Sequence, residues 1–171
     1  MDKCINKLID DQYEYSTITH TRNVARAILI NDSKEVCLLH VVGIDDFGNR
    51  NYYETPGGGI NNDESLEEAV LREIHEETGF HASIITYLGY VEDYYNLIKR
   101  HNITHYFLLK AESFDHEELE EYEKGIISEK VWVSFDKAIK LYKNMNKEKL
   151  EILVSKRELP VLLKAIKYLE D

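Results

Sequence analysis

The chain has 171 residues, 43% of them hydrophobic and 31% charged, with 32 acidic against 21 basic side chains and a formal net charge of −11. That length and balance suit a single domain with a substantial core and exclude an intrinsically disordered chain. The acidic excess argues against a partner held by neutralising a phosphate backbone, so duplex nucleic acid is not an expected ligand, and Cys4 and Cys37 form neither a disulfide framework nor a thiolate zinc motif.

At the amino end, MDKCINKLIDDQ carries acids and lacks the apolar core of a signal peptide, and no apolar run reaches membrane-spanning length. A cytoplasmic protein without membrane contact is expected. RAILI (26–30) and VCLLHVVGI (36–44) are β-branched, apolar runs separated by the turn composition NDSKE, so they read as a hairpin or neighbouring strands. DDFGNRN (45–51) is a second turn, and the aromatic pair Tyr52–Tyr53 leads into PGGG. A helix is predicted over 65–78, with Asp63 or Ser65 as its cap, Ser65 and Glu68 as a capping box, and Gly79 as its stop. HASIITYLGYVEDYYN (81–96) and THYFLLKAES (104–113) read as extended, joined by KRHN. HEELEEYEKG (116–125) is a solvated loop or short helix, VWVSF (131–135) a strand, and Asp136 the cap of KAIKLYKN. The tail from Asn146 is helical and is expected to break or restart at Pro160. Without repeat or linker, the economical reading is one α/β domain over 1–171 with a helical C-terminal end over about 146–170.

The predicted helix and the segment before it carry an unusual charge pattern. Seven acidic residues lie between Asp63 and Glu77, with Arg72 among them. At about 100° per residue, Leu66, Val70 and Ile74 form the buried stripe, and Glu73, Glu76 and Glu77 fall together beside it with Ala69. Like charges at such spacings repel by roughly 0.2–0.5 kcal/mol each, so a further cation is needed. A hard divalent ion such as Mg2+ or Mn2+ prefers carboxylate oxygen and keeps positions open for water or phosphate. Gly57, Gly58 and Gly59 can approach a ligand closely, just ahead of a helix N-terminus that favours anions. An isolated GGG is usually a turn, and an isolated acidic run is usually a solvated face; the joint spacing points to chemistry.

Gly58, five residues, Glu64, seven residues, Arg72-Glu73-Ile74-His75-Glu76-Glu77, then Thr78-Gly79-Phe80, resembles the Nudix box without a departure. The resemblance to MutT-like Nudix hydrolases implies a mixed β-sheet sandwiched between helices as a core over about 20–140, with the box as loop-helix-loop and the C-terminal helical segment as an addition. By that resemblance Glu73, Glu76 and Glu77 are the metal ligands, and one of them or a later glutamate is the base that deprotonates water. Arg72 and Glu64 pair and orient those ligands, and the backbone of Gly57, Gly58 and Gly59 shapes the substrate pocket. A further glutamate is expected from a later loop, with Glu123 ranked ahead of Glu121 and Glu129. His75, at a variable box position, is read as an exposed helix residue and not a ligand.

The implied activity is Mg2+- or Mn2+-dependent hydrolysis of a nucleoside diphosphate linked to another moiety, by water attack on a phosphorus. Arg22, Arg26, Arg50 and Arg100 are candidate cationic helpers. The downstream proline of members that cleave ADP-ribose is absent, since the chain's prolines are Pro56 and Pro160, and so is the upstream motif of the coenzyme A branch. Tyr94 and Tyr95 lie where members acting on diadenosine polyphosphates carry a tyrosine, so either could stack on a base. The expected partner is a small nucleotide, with homodimerisation left open. Two other classes remain: a non-catalytic nucleotide-binding regulator, which would have lost a box glutamate, and an isoprenoid diphosphate isomerase, which would need Cys37 in the pocket.

Overall fold

The computed structural model describes residues 3–45 and 48–171. Its strands are β1 (Cys4–Leu8), β2 (His20–Ile30), β3 (Val36–Asp45), β4 (Gly48–Glu54), β5 (Gly57–Gly59), β6 (Phe80–Tyr95), β7 (Arg100–Phe114) and β8 (Ile127–Val133). Helices α1 (Leu66–Thr78), α2 (Glu121–Ile126), α3 (Phe135–Asn144) and α4 (Lys149–Glu170) complete it, with a 3-10 turn at Asn96–Ile98. The sheet runs β1-β6-β7-β2-β3-β4, with β5 paired to β2 and β8 to β3. It is mixed: β1 lies parallel to β6 and β2 parallel to β7, while the other pairs are antiparallel.

Both faces of the sheet are covered, which is why the end of β2, residues 27–30, reads as a continuous apolar run and not as an alternation. Ala25, Ala27 and Leu29 pack with Ala69, Val70 and Ile74 of α1 on one face. Ile28 and Ile30 pack with Tyr142 of α3 and Val154, Val161, Leu162 and Ala165 of α4 on the other. Among the described residues, no helix is long and apolar enough to cross a membrane.

The elements differ from the sequence expectations in several places. β7 begins at Arg100, so the connector is Asn96–Ile98 and not KRHN; pairing with β2 from His20↔Arg100 onward draws these polar residues into the sheet. β1, unanticipated, is a short edge strand whose entry is fixed by a hydrogen bond from Tyr90 N–H to the Lys3 carbonyl. Ser134, not Asp136, caps α3, its Oγ accepting from Lys137 N–H at 3.2 Å. Finally, α4 runs unbroken through Pro160. Proline costs a helix the bond to the carbonyl four residues back, here that of Lys156, and the Asn6 side-chain amide of β1 donates to that carbonyl at 3.4 Å. The segment DDFGNRN, expected as a turn, is instead mostly strand, with Asp45 ending β3 and Gly48, Asn49, Arg50 and Asn51 paired to it from β4, because the hairpin ladder draws them in; residues 46 and 47 lie outside the described part.

Candidate active site

Helix α1 begins as its sequence dictates: Ser65 Oγ accepts from Glu68 N–H and Glu68 reaches back to Ser65 N–H, closing the capping box. Gly79 ends it in the left-handed conformation at φ 75°. With the helix so phased, Glu73 and Glu77 are each only 7% exposed although both are carboxylates. Glu123, equally buried on α2, brings its carboxylate to theirs, one oxygen of each of the three lying within 4.8 Å of the others. Glu121 instead pairs with Lys124 at 2.7 Å and Glu129 lies near His40, both on exposed surface.

Arg72 organises the rest of the box. Its guanidinium grips Glu64 in a bidentate pair at 2.7 and 3.0 Å, then donates to Glu73 at 2.8 Å, to Glu76 at 2.9 Å and to the Gly59 carbonyl at 3.1 Å. One side chain thus ties the glycine segment to the helix and holds two glutamates in fixed rotamers. Glu76 is the most exposed of the three box glutamates and stands beside the buried cluster, linked to it through Arg72. Burial pushes the Glu73 carboxyl above its usual range, with Arg72 opposing. For Glu77, burial pushes it well above, against the pull of Arg26 and of Gly57 N–H, which donates to Glu77 at 2.6 Å.

The glycines are required by this proximity. A Cβ on Gly58 would stand 2.5 Å from a Glu73 carboxylate oxygen, and one on Gly57, at φ 141°, would stand 2.3 Å from the Ala25 carbonyl oxygen. Three buried, converging carboxylates with an oxygen-only donor set fit a hard divalent cation.

A cavity of about 290 Å³ opens beside this cluster, floored by alternate residues of neighbouring strands: Arg22, Val24 and Arg26 of β2, Arg50, Tyr52 and Glu54 of β4, Asp93 and Tyr95 of β6, Arg100, Asn102 and Thr104 of β7. Gly57, Gly58, Glu77, Tyr122 and Glu123 form the carboxylate end. The four arginines singled out from sequence therefore meet in one place. Burial, then the neighbouring Arg22, lowers the Arg100 pKa. Successive strand residues face opposite ways, so the two tyrosines part: Tyr95 lines the cavity, while Tyr94 stacks on His101 outside it, centroids 4.5 Å apart.

Sequence reasoning missed the contribution of α4. Arg157 enters the cavity wall and pairs with Glu54 at 3.4 Å, and the fully buried Glu158 accepts from Thr55 N–H at 2.8 Å, Thr55 Oγ1 at 3.0 Å and Tyr142 OH at 2.5 Å. No local signal in the sequence sets Arg157 and Glu158 apart from the other charged residues of α4. Asp93 and Asn102, hydrogen-bonded at 2.7 Å and buried, were also unanticipated. Cys37 sits in the α1-side core with its thiol pushed up to about 12 by burial, among residues that do not line the cavity.

The NUDIX domain profile matches residues 20–154. The chain belongs to the NUDIX domain family. It is 34% identical over 65 residues to a Bacillus subtilis (strain 168) protein named "Putative 8-oxo-dGTP diphosphatase", a match spanning 38% of this chain and 40% of that relative's length. The fold is similar to that of a NUDIX hydrolase from Nitrosomonas europaea, at TM-score 0.61 and 20% identity over 80% of this chain and 86% of the other. It is also similar to the MutT protein from Methanosarcina mazei Go1, at TM-score 0.60 and 22% identity over 91% and 99%. The Nudix match ends inside α4, so Arg157 and Glu158 lie beyond it.

Proposed function

We propose that the chain is a divalent-metal-dependent hydrolase that cleaves nucleoside diphosphates linked to a further group, nucleoside triphosphates included. The observation that carries this reading is the convergence of Glu73, Glu77 and Glu123, all buried, at one end of a cavity whose other walls present Arg22, Arg50 and Arg100. Support for a nucleotide comes from the cavity size, near the lower bound of about 300–1,000 Å³ typical of ligand pockets, and from the diphosphatase name of the Bacillus subtilis relative.

Glu73, Glu77 and Glu123 would hold Mg2+ or Mn2+, which supplies charge neutralisation on the phosphoryl oxygens and a lowered pKa for water. The chain's own residues do the rest. Arg72 keeps Glu73 and Glu76 in place, and Glu76, accessible and outside the buried cluster, stands where it can take the proton of the attacking water. The arginines of β2, β4 and β7 bind and orient the phosphate chain, and Tyr95, lining the cavity, offers its ring to the base.

The test is a screen of nucleoside diphosphate derivatives and triphosphates with Mg2+ and with Mn2+, reading phosphate released after phosphatase treatment. Metal-dependent turnover of at least one is expected. Turnover of none would favour a nucleotide-binding regulator, and full turnover in excess chelator would overturn the metal assignment.

A further inference from the structure

At the opposite end of α1 from its capping box, three histidines and an aspartate gather away from the cavity. His75 comes from the last turn of α1, His81 from the start of β6, and Asp115 and His116 from the segment leaving β7. The rings of His75 and His81 stack with centroids 4.4 Å apart and planes 22° apart. Both present Nε2 to one oxygen of Asp115, at 3.8 and 3.9 Å. Those separations are too long for hydrogen bonds, and the buried His75 Nε2 has no hydrogen-bond partner among the described residues. A buried, unpaired ring nitrogen aimed at a carboxylate it does not reach leaves a gap between them.

We propose that His75, His81 and Asp115 form a second metal site, for a borderline divalent transition ion of the zinc type. The donor set separates it from the glutamate cluster: two imidazole nitrogens and one carboxylate suit Zn2+, Co2+ or Ni2+, whereas three carboxylates suit Mg2+ or Mn2+. Metal-ligand bonds of about 2.0–2.2 Å at tetrahedral angles place ligand atoms about 3.4 Å apart. One ligand atom from each of the three residues already lies within 4.8 Å of the others, and the two measured nitrogen-oxygen gaps need close by only a few tenths of an ångström. Water fills the fourth position.

The scaffold is set for this. Asp115 N–H donates to the Gly79 carbonyl at 2.8 Å and Glu118 N–H to the Glu76 carbonyl at 2.7 Å, so the segment is fastened to the end of α1 before any ion arrives. His116 hydrogen-bonds the other Asp115 oxygen at 2.7 Å, which orients the carboxylate and holds its carboxyl below the usual range. A bound ion would join α1, β6 and the segment that leads on to α2 and Glu123.

The experiment is a calorimetric titration of Zn2+ into the full chain with millimolar Mg2+ present to fill the glutamate cluster, alongside nitrogen-15 spectra of the histidine rings. One Zn2+ per chain should bind, shifting the His75 and His81 ring signals. His81→Asn and His75→Asn should each weaken binding by more than about tenfold, the lower bound for losing even an outlying partner of a metal site, while Glu77→Gln leaves it unchanged. His81 is exposed, so its variant should melt with wild type when no metal is added, and Zn2+ should raise the wild-type melting temperature alone. Unmoved ring signals, equal Zn2+ binding by His81→Asn, or loss of binding in Glu77→Gln would each overturn the proposal. None of these readouts depends on hydrolysis, so failure of the Mg2+-dependent activity leaves the zinc test intact.

Discussion

Glu158 is the residue on which the cavity's architecture turns, although it never reaches the cavity. Its side chain is fully buried between α4, α3 and the strand end that precedes the glycines, and it accepts from Thr55 twice, from Tyr142, from Tyr106 at 3.4 Å and from Arg157 at 2.9 Å. Replacing Glu158 with Ala strands all of these donors and leaves Arg157 without its nearest anion. Removing one partner of such a buried pair costs about 3–5 kcal/mol. For a chain of this size each kcal/mol lowers the melting temperature by about 2–4 °C, so calorimetry should show a fall of about 6–20 °C. The loss should depend on pH. Burial by itself pushes the Glu158 carboxyl up, but Arg157, then Arg26, the Tyr142 hydroxyl and Thr55 N–H outweigh it and bring it below the usual range. A carboxylate with a depressed folded pKa contributes stability above its unfolded pKa and loses it as pH falls through the folded value. The gap between wild type and Glu158→Ala should therefore be widest near neutrality and narrow in acid. A fall under about 3 °C at neutral pH, equivalent to about 1 kcal/mol, or a gap that widens in acid, would refute the reasoning.

Four other outcomes follow from the site. Metal-free Glu77→Gln should melt at or slightly above wild type, because it removes a charge that burial opposes, and should lose most of the Mg2+-induced rise. Glu73 and Glu77 have raised folded pKa values, so their effect on metal-free stability is most favourable at low pH and is lost as pH rises through those values; the Mg2+-induced rise in wild type should accordingly grow with pH, measured by thermal melts in chelator and in Mg2+. Gly58→Ala should displace the flexible Glu73 carboxylate more than the backbone, cutting Mg2+ affinity and turnover by at least about tenfold with little change in melting temperature. Tyr95→Leu should raise KM for the nucleotide substrate identified in the screen, while Tyr94→Leu, whose ring packs on His101, should not.

How much of this was legible in the sequence depends on how far each signal reaches. α1 was legible to within a residue or two, because Ser65, Glu68 and Gly79 act over three or four positions and the apolar stripe is periodic. The Arg72–Glu64 pair and the glycine contacts lie within one local motif. Glu123 could be ranked but not placed, since its approach to Glu73 depends on where the loop after β7 delivers α2. The arginines of β2, β4 and β7 carry alternation that puts them on a face, yet only the strand order brings β4 and β7 to either side of β2. Glu158 and Thr55, joined across 103 positions, left no local trace. Pro160 misled for the same reason: the carbonyl it abandons is taken by Asn6, 150 positions away from Lys156.

The cavity has two electrical ends, and that polarity explains a tension in the composition. A chain with net charge −11 is a poor general host for polyphosphates, and Glu77, Glu123 and the neighbouring Glu73 would repel one directly. Arg72 cannot reverse this, being spread over Glu64, Glu73 and Glu76, and Arg26 and Arg157 are shared with Glu54. In the proposed reaction Arg22, Arg50 and Arg100 of the opposite wall would meet the phosphate chain, while the carboxylate end would accept one only through a divalent cation. Occupancy of the two ends is then coupled: a cation makes the phosphate chain welcome, and the phosphate chain brings further oxygens to the cation. By linkage each must tighten the other by the same factor. If the chain acts as proposed, a surface that discourages polyanions elsewhere, with a bipolar cavity that admits one only alongside a metal ion, would make the acidic composition a filter for metal-complexed nucleotides.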